Sequence, residues 1–87
     1  MIKIDKRTAR KMYNSGHSII LVPCKCNVGN NIAYSRINLI ESHGKDFDIL
    51  VNTFEYFNCN SELGHYSHYY VCEIDMQSYN SCLLMCN

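Results

Sequence analysis

The stretch that most limits the fold of this chain is "DFDILVNTFEYFNCNSELG", residues 46 to 64. Phe47, Leu50, Val51, Phe54 and Phe57 recur at helical spacing, and Gly64 suits a helix end. An apolar stripe of this width has to be covered. The segments able to cover it are short and rich in β-branched residues: "HSIILVPCKC" at 17–26, "IAYSRINLI" at 32–40 and "YSHYYVCEI" at 66–74. "NVGNN" reads as the turn of a hairpin joining the first two. "SHGKD", residues 42–46, breaks the pattern ahead of the main helix. Residues 5 to 15 read as a shorter helix, with Asp5 as N-cap, Ala9, Met12 and Tyr13 on one face, and Gly16 just past its end.

The order is helix, hairpin, helix, strand, tail, which predicts an α+β fold. One main helix packs on a three-stranded, mainly antiparallel sheet. Tyr66, His68, Tyr70 and Cys72 share one face of the last strand, and Ser67, Tyr69 and Val71 share the other. The tail "DMQSYNSCLLMCN" forms a last helical turn or lies irregularly across the sheet. At 87 residues the chain makes one domain, 1–87, with a thin core, and folds of this size often add a metal, a disulfide or a partner subunit.

Six cysteines and four histidines supply the means. The charged start "MIKIDKRTARKMYNSG" has no apolar stretch of signal-peptide length, and "IILVPC" is too short to cross a membrane. The expected location is therefore the cytoplasm, where thiols stay reduced and metal ligation or burial is favoured over disulfides.

A closed structural zinc site takes four N or S ligands, with sulfurs ~2.3 Å from the metal. Cys24 and Cys26 lie on the same side of an extended strand, and Cys82 and Cys86 share one face of a helical turn. These four are the expected ligands, tying the tail to the end of the first strand. Zinc binding in small finger peptides is worth ~10–16 kcal/mol, comparable with the whole stability of such a domain. Cys59, His65, His68 and Cys72 form an alternative set.

Cys72 reads as a small buried hydrophobe, and His17 and His43 as polar surface residues. Cys59 lies with Asn52 and Glu55 on the wheel of the main helix, roughly opposite Phe54. A thiol nucleophile at Cys59, served by His65 or His68, has neither an oxyanion-hole motif nor a third partner in the sequence. A tetrad filled by cysteine leaves no position for a hydrolytic water. The chain therefore does not read as an enzyme.

The net charge is zero but unevenly placed. Lys3, Lys6, Arg7, Arg10 and Lys11 crowd the start, and seven acids against three cations follow residue 11. Seven tyrosines and no tryptophan favour contact surfaces or an aromatic core, and Tyr69 is a candidate partner contact.

"GHSIILVPCK" and "FDILVNTFEYFNCNSELGHYSHYYV" resemble segments of small accessory proteins of Gram-positive phages and mobile elements, some of them anti-CRISPR proteins acting on type II-A Cas9. The likeness covers roughly residues 7 to 74 and leaves out the tail with Cys82 and Cys86. It implies a stoichiometric inhibitor that binds Cas9 and blocks target DNA loading or cleavage, touching nucleic acid only indirectly, by competition. Cas9 holds nucleic acid in a positively charged channel. Asp46, Asp48, Glu55 and Glu62 on the main helix are suited to dock there. A zinc-stabilised nucleic-acid-binding regulator, using Lys6, Arg7, Arg10 and Lys11 on phosphates, is the alternative. No membrane is expected as partner, and the chain reads as a monomer or a homodimer paired through the edge of its last strand.

Overall fold

The computed structural model describes residues 1–23, 34–59 and 66–85, the last four of these by their backbone alone. The elements run β1 (Ile2–Ile4), α1 (Lys6–Asn14), β2 (Ile19–Pro23), β3 (Ser35–Ile37), α2 (Phe47–Asn58), β4 (Ser67–Val71) and α3 (Glu73–Met85). The α+β class holds, with four strands described instead of three.

Both ends of α1 are set by local chemistry. Asp5 accepts a 2.7 Å bond from the Thr8 amide at the N-terminus. At the other end the Gly16 amide donates to Tyr13 and the His17 amide to Met12, with Gly16 at φ +95°. This is a Schellman closure, and a residue with a Cβ would be strained there. Ala9, Met12 and Tyr13 are fully buried.

The strands lie in the order β1-β4-β2-β3, every pair antiparallel. β1 therefore runs parallel to β2 with β4 between them, and β3 runs parallel to β4 with β2 between them. Two split βαβ units interleave, and each helix crosses over one strand of the other unit. The last strand of the chain is thus central, and it offers no edge to a twin.

Ile19 and Leu21 of β2, and Ser67, Tyr69 and Val71 of β4, face inward. They meet Met12 and Tyr13 of α1 and Phe47, Val51 and Phe54 of α2 in one apolar cluster. Phe47 sits at its centre, with ring centroids 5.5 Å from Tyr13 and 6.1 Å from Tyr69.

Several expectations need correcting. β1 was not anticipated: Ile-Lys-Ile is too short to show a period, and it becomes a strand by pairing with β4. β3 covers three residues where nine were expected. Asn38 ends it, because its side-chain oxygen accepts from the amides of Ile40 and Glu41 and turns the chain. Its amide nitrogen donates to the Gly16 carbonyl and to Ser18 Oγ, binding that turn to the end of α1.

α2 stops at Asn58, and residues 60–65, which include the expected terminator Gly64, lie outside the described residues. Cys59 therefore leaves the helical wheel. It adopts an extended φ of −124° and packs against the core. Phe57, expected on the buried stripe, is 75% exposed. It trails Phe54 by three residues, ~300° on the wheel, which carries it to the flank that the short β3 leaves uncovered.

The tail forms the thirteen-residue α3. Among its described side chains, Ile74 is exposed, while Met76 and Tyr79 reach the core. His17 adds a polar link to it. His17 Nδ1 lies 3.2 Å from Asp75 Oδ1, and its ring meets Tyr79 edge-on at 5.9 Å. His17 is therefore a half-buried joint between α1 and α3 and not a plain surface residue.

Candidate interaction surface

α2 presents its core stripe inward and leaves a second apolar stripe on its flank. Ile49, Tyr56 and Phe57 are 60%, 81% and 75% exposed. The Tyr56 and Phe57 rings pack at right angles with centroids 5.1 Å apart, so each restricts the other. Beside them a groove of about 300 Å³ runs between α2 and β3, lined by Ile37, Leu50, Thr53, Phe54 and Phe57, with Lys45 at its rim. Large aromatics held rigid next to a groove are what protein interfaces use as anchors.

The acids expected to dock on a partner are mostly engaged within the chain. Asp46 caps α2, its Oδ2 accepting from the amides of Asp48 and Ile49. Asp48 accepts a 2.7 Å bond from Arg10, with Lys6 at 3.9 Å, and this fastens α1 to α2. The same guanidinium lies 5.7 Å from the centre of the Phe47 ring. Glu55 Oε2 accepts from the Ser67 amide at 2.7 Å and from Ser67 Oγ at 2.9 Å, fastening α2 to β4. Glu62 lies outside the described residues.

Tyr69 is 7% exposed and belongs to the core. Burial raises the pKa of its hydroxyl, and the nearby carboxylates of Glu55 and Asp48 act in the same direction. Its ring is therefore removed from partner contact, because inward alternation of β4 places it against Phe47.

The hydrogen bond from Arg10 holds the Asp48 carboxyl below its ordinary range, with the charges of Arg10 and Lys6 adding to the effect. A depressed carboxyl stabilises the fold above its unfolded value and loses that contribution as pH falls through the folded value. Acid titration should therefore destabilise the wild type below the ordinary aspartate range more steeply than it does Asp48→Asn. Superimposable acid-unfolding curves for the two proteins would contradict this.

The metal ligands are placed less completely. Cys24, Cys26 and Cys86 lie outside the described residues, and for Cys82 only the helical backbone of α3 is described. β2 reaches Pro23 opposite Ser67, the start of β4, whereas α3 departs from the far end of β4, after Val71. For the proposed tetrad to close, α3 has to lead back along the sheet.

In the alternative set His65 lies outside the described residues, and Cys72 is exposed, not buried, because β4 ends one residue before it. His68 points away from the helices while Cys59 packs on the core side, which also separates this histidine from that thiol as a catalytic pair. Among the described residues, no three His, Cys, Asp or Glu side chains come together as a metal site. Nor, among those residues, is any helix long and apolar enough to cross a membrane. No protein-family model, no curated protein and no solved structure matches the chain.

Proposed function

We propose that this protein is an interaction module and not an enzyme: a phage- or mobile-element-borne inhibitor that binds Cas9 and prevents target DNA loading or cleavage. The observation that carries the interaction reading is the rigid, exposed Tyr56–Phe57 pair beside the α2–β3 groove. Cas9 as the partner rests on the sequence resemblance alone. With Asp46, Asp48 and Glu55 bonded internally, the flank of α2 is the better contact surface. For the alternative, a nucleic-acid-binding regulator using Lys6, Arg7, Arg10 and Lys11, Lys6 and Arg10 face Asp48, while no ion pair among the described residues involves Arg7 or Lys11. The zinc tie of Cys24, Cys26, Cys82 and Cys86 stays part of the proposal on ligand spacing, and the cytoplasm of the host cell is where such an inhibitor acts.

Phe57→Asp is expected to weaken the Cas9 complex by about 30-fold or more, the effect of losing an interface anchor. Its own thermal melt should hardly change, because the side chain is exposed. Full inhibition of Cas9 cleavage by Phe57→Asp would remove this surface from the proposal.

A further inference from the structure

The sheet has a second face, and neither α1 nor α2 builds its core on it. Cross-strand register sets Lys3 beside Tyr70, Tyr70 beside Ile20 and Ile20 beside Arg36, one row across all four strands. Val22 and His68 pair in the next row. At ~4.8 Å per strand the two cations stand ~14 Å apart, with a tyrosine and an isoleucine between them. Tyr34, 69% exposed, joins Met1, Ile20, Val22 and Tyr70 around an apolar concavity of about 460 Å³. None of these residues belongs to the buried cluster on the helix side.

We infer that this second face binds single-stranded nucleic acid, with bases stacked on the exposed Tyr34 ring and the part-exposed Tyr70 ring and phosphates held by Lys3 and Arg36. The row carries no acid, and among the described residues no carboxylate pairs with Lys3. Arg36 meets Glu41 at 3.1 Å in a solvent-exposed pair, which is weak enough to exchange for a phosphate. Flat apolar faces joined by regularly spaced anions are what such a row fits, and stacking accepts any base. A second copy stacked face to face with its strands aligned would instead bring Lys3 and Arg36 against the same cations. An acidic peptide would answer the cations and leave the tyrosine floor without a matching ring. This site is separate from the α2 flank and stands whether or not Cas9 is the partner there.

The test is fluorescence anisotropy with fluorescein-labelled oligo-dT of about 12 nucleotides at about 50 mM salt. Saturable binding is expected, with a duplex of the same length competing poorly. Tyr34→Ala and Tyr70→Ala should each weaken it by about 5- to 100-fold, while Tyr70→Phe retains it. Removing both cations in Lys3→Ala/Arg36→Ala should flatten the log–log salt slope by about 1.4. The inference is overturned by absence of saturable binding, or by undiminished binding to both tyrosine variants. Loss of binding only when Lys6, Arg7 and Lys11 on α1 are replaced by alanine would overturn it equally.

Discussion

Phe47→Ala is expected to cost about 3–5 kcal/mol, a large part of what holds this domain together. The ring is 1% exposed and lies where α1, α2 and β4 converge. Removing it opens a cavity between Tyr13 and Tyr69, and also takes away the aromatic face next to Arg10. The neighbours have little freedom to close that space. Tyr13 is tied by its hydroxyl, which donates to the Lys45 carbonyl at 2.6 Å and lies 2.6 Å from Ser42 Oγ. Tyr69 is fixed in the register of a central strand. In a domain of this length the loss corresponds to a fall in Tm on the order of 20 °C. Phe57→Ala, three turns along the same helix, should shift the melt by a few degrees at most. Comparable melts for the two variants would mean that the packing around Phe47 is wrongly described.

The second large effect is expected at Glu55, and it separates a structural carboxylate from a docking one. Glu55→Ala leaves the Ser67 amide and hydroxyl, on a residue 7% exposed, without their acceptor. Bonds to a charged acceptor contribute more than neutral ones, and a stranded buried donor carries its full desolvation cost. A loss of about 2–4 kcal/mol follows, read by urea unfolding. Glu55→Gln should recover part of it, because the amide oxygen still accepts one of the two bonds. A surface carboxylate reserved for a partner would change neither curve, and that outcome would return Glu55 to the docking surface.

How much of this was legible in the sequence differs from element to element. Asp5, Gly16 and the Ala9–Met12–Tyr13 spacing define α1 almost to the residue, because capping and period are local. The inward set Ser67, Tyr69, Val71 follows from alternation, although sequence does not say which face is wet. β1 and α3 were not legible for opposite reasons. β1 is stabilised by a strand nearly seventy positions away, and α3 is helical without a continuous apolar face. The acids show the limit most clearly. Asp46, Asp48 and Glu55 look alike as surface charge, yet Asp46 caps its own helix, while Asp48 and Glu55 are engaged by groups that only the fold brings near. The short edge strand β3, ended by Asn38, likewise decides that Phe57 is exposed.

The proposal that this chain binds Cas9 is tested most directly by native mass spectrometry of the chain mixed with Cas9 and guide RNA. The chain alone should appear one zinc heavier than its sequence mass, and a metal-free mass would remove the zinc tie without touching the binding claim. In the mixture the account predicts a complex of Cas9, guide and this protein with a defined, saturating stoichiometry that Phe57→Asp fails to form. A spectrum in which Cas9 and guide persist without the protein at any ratio would contradict it.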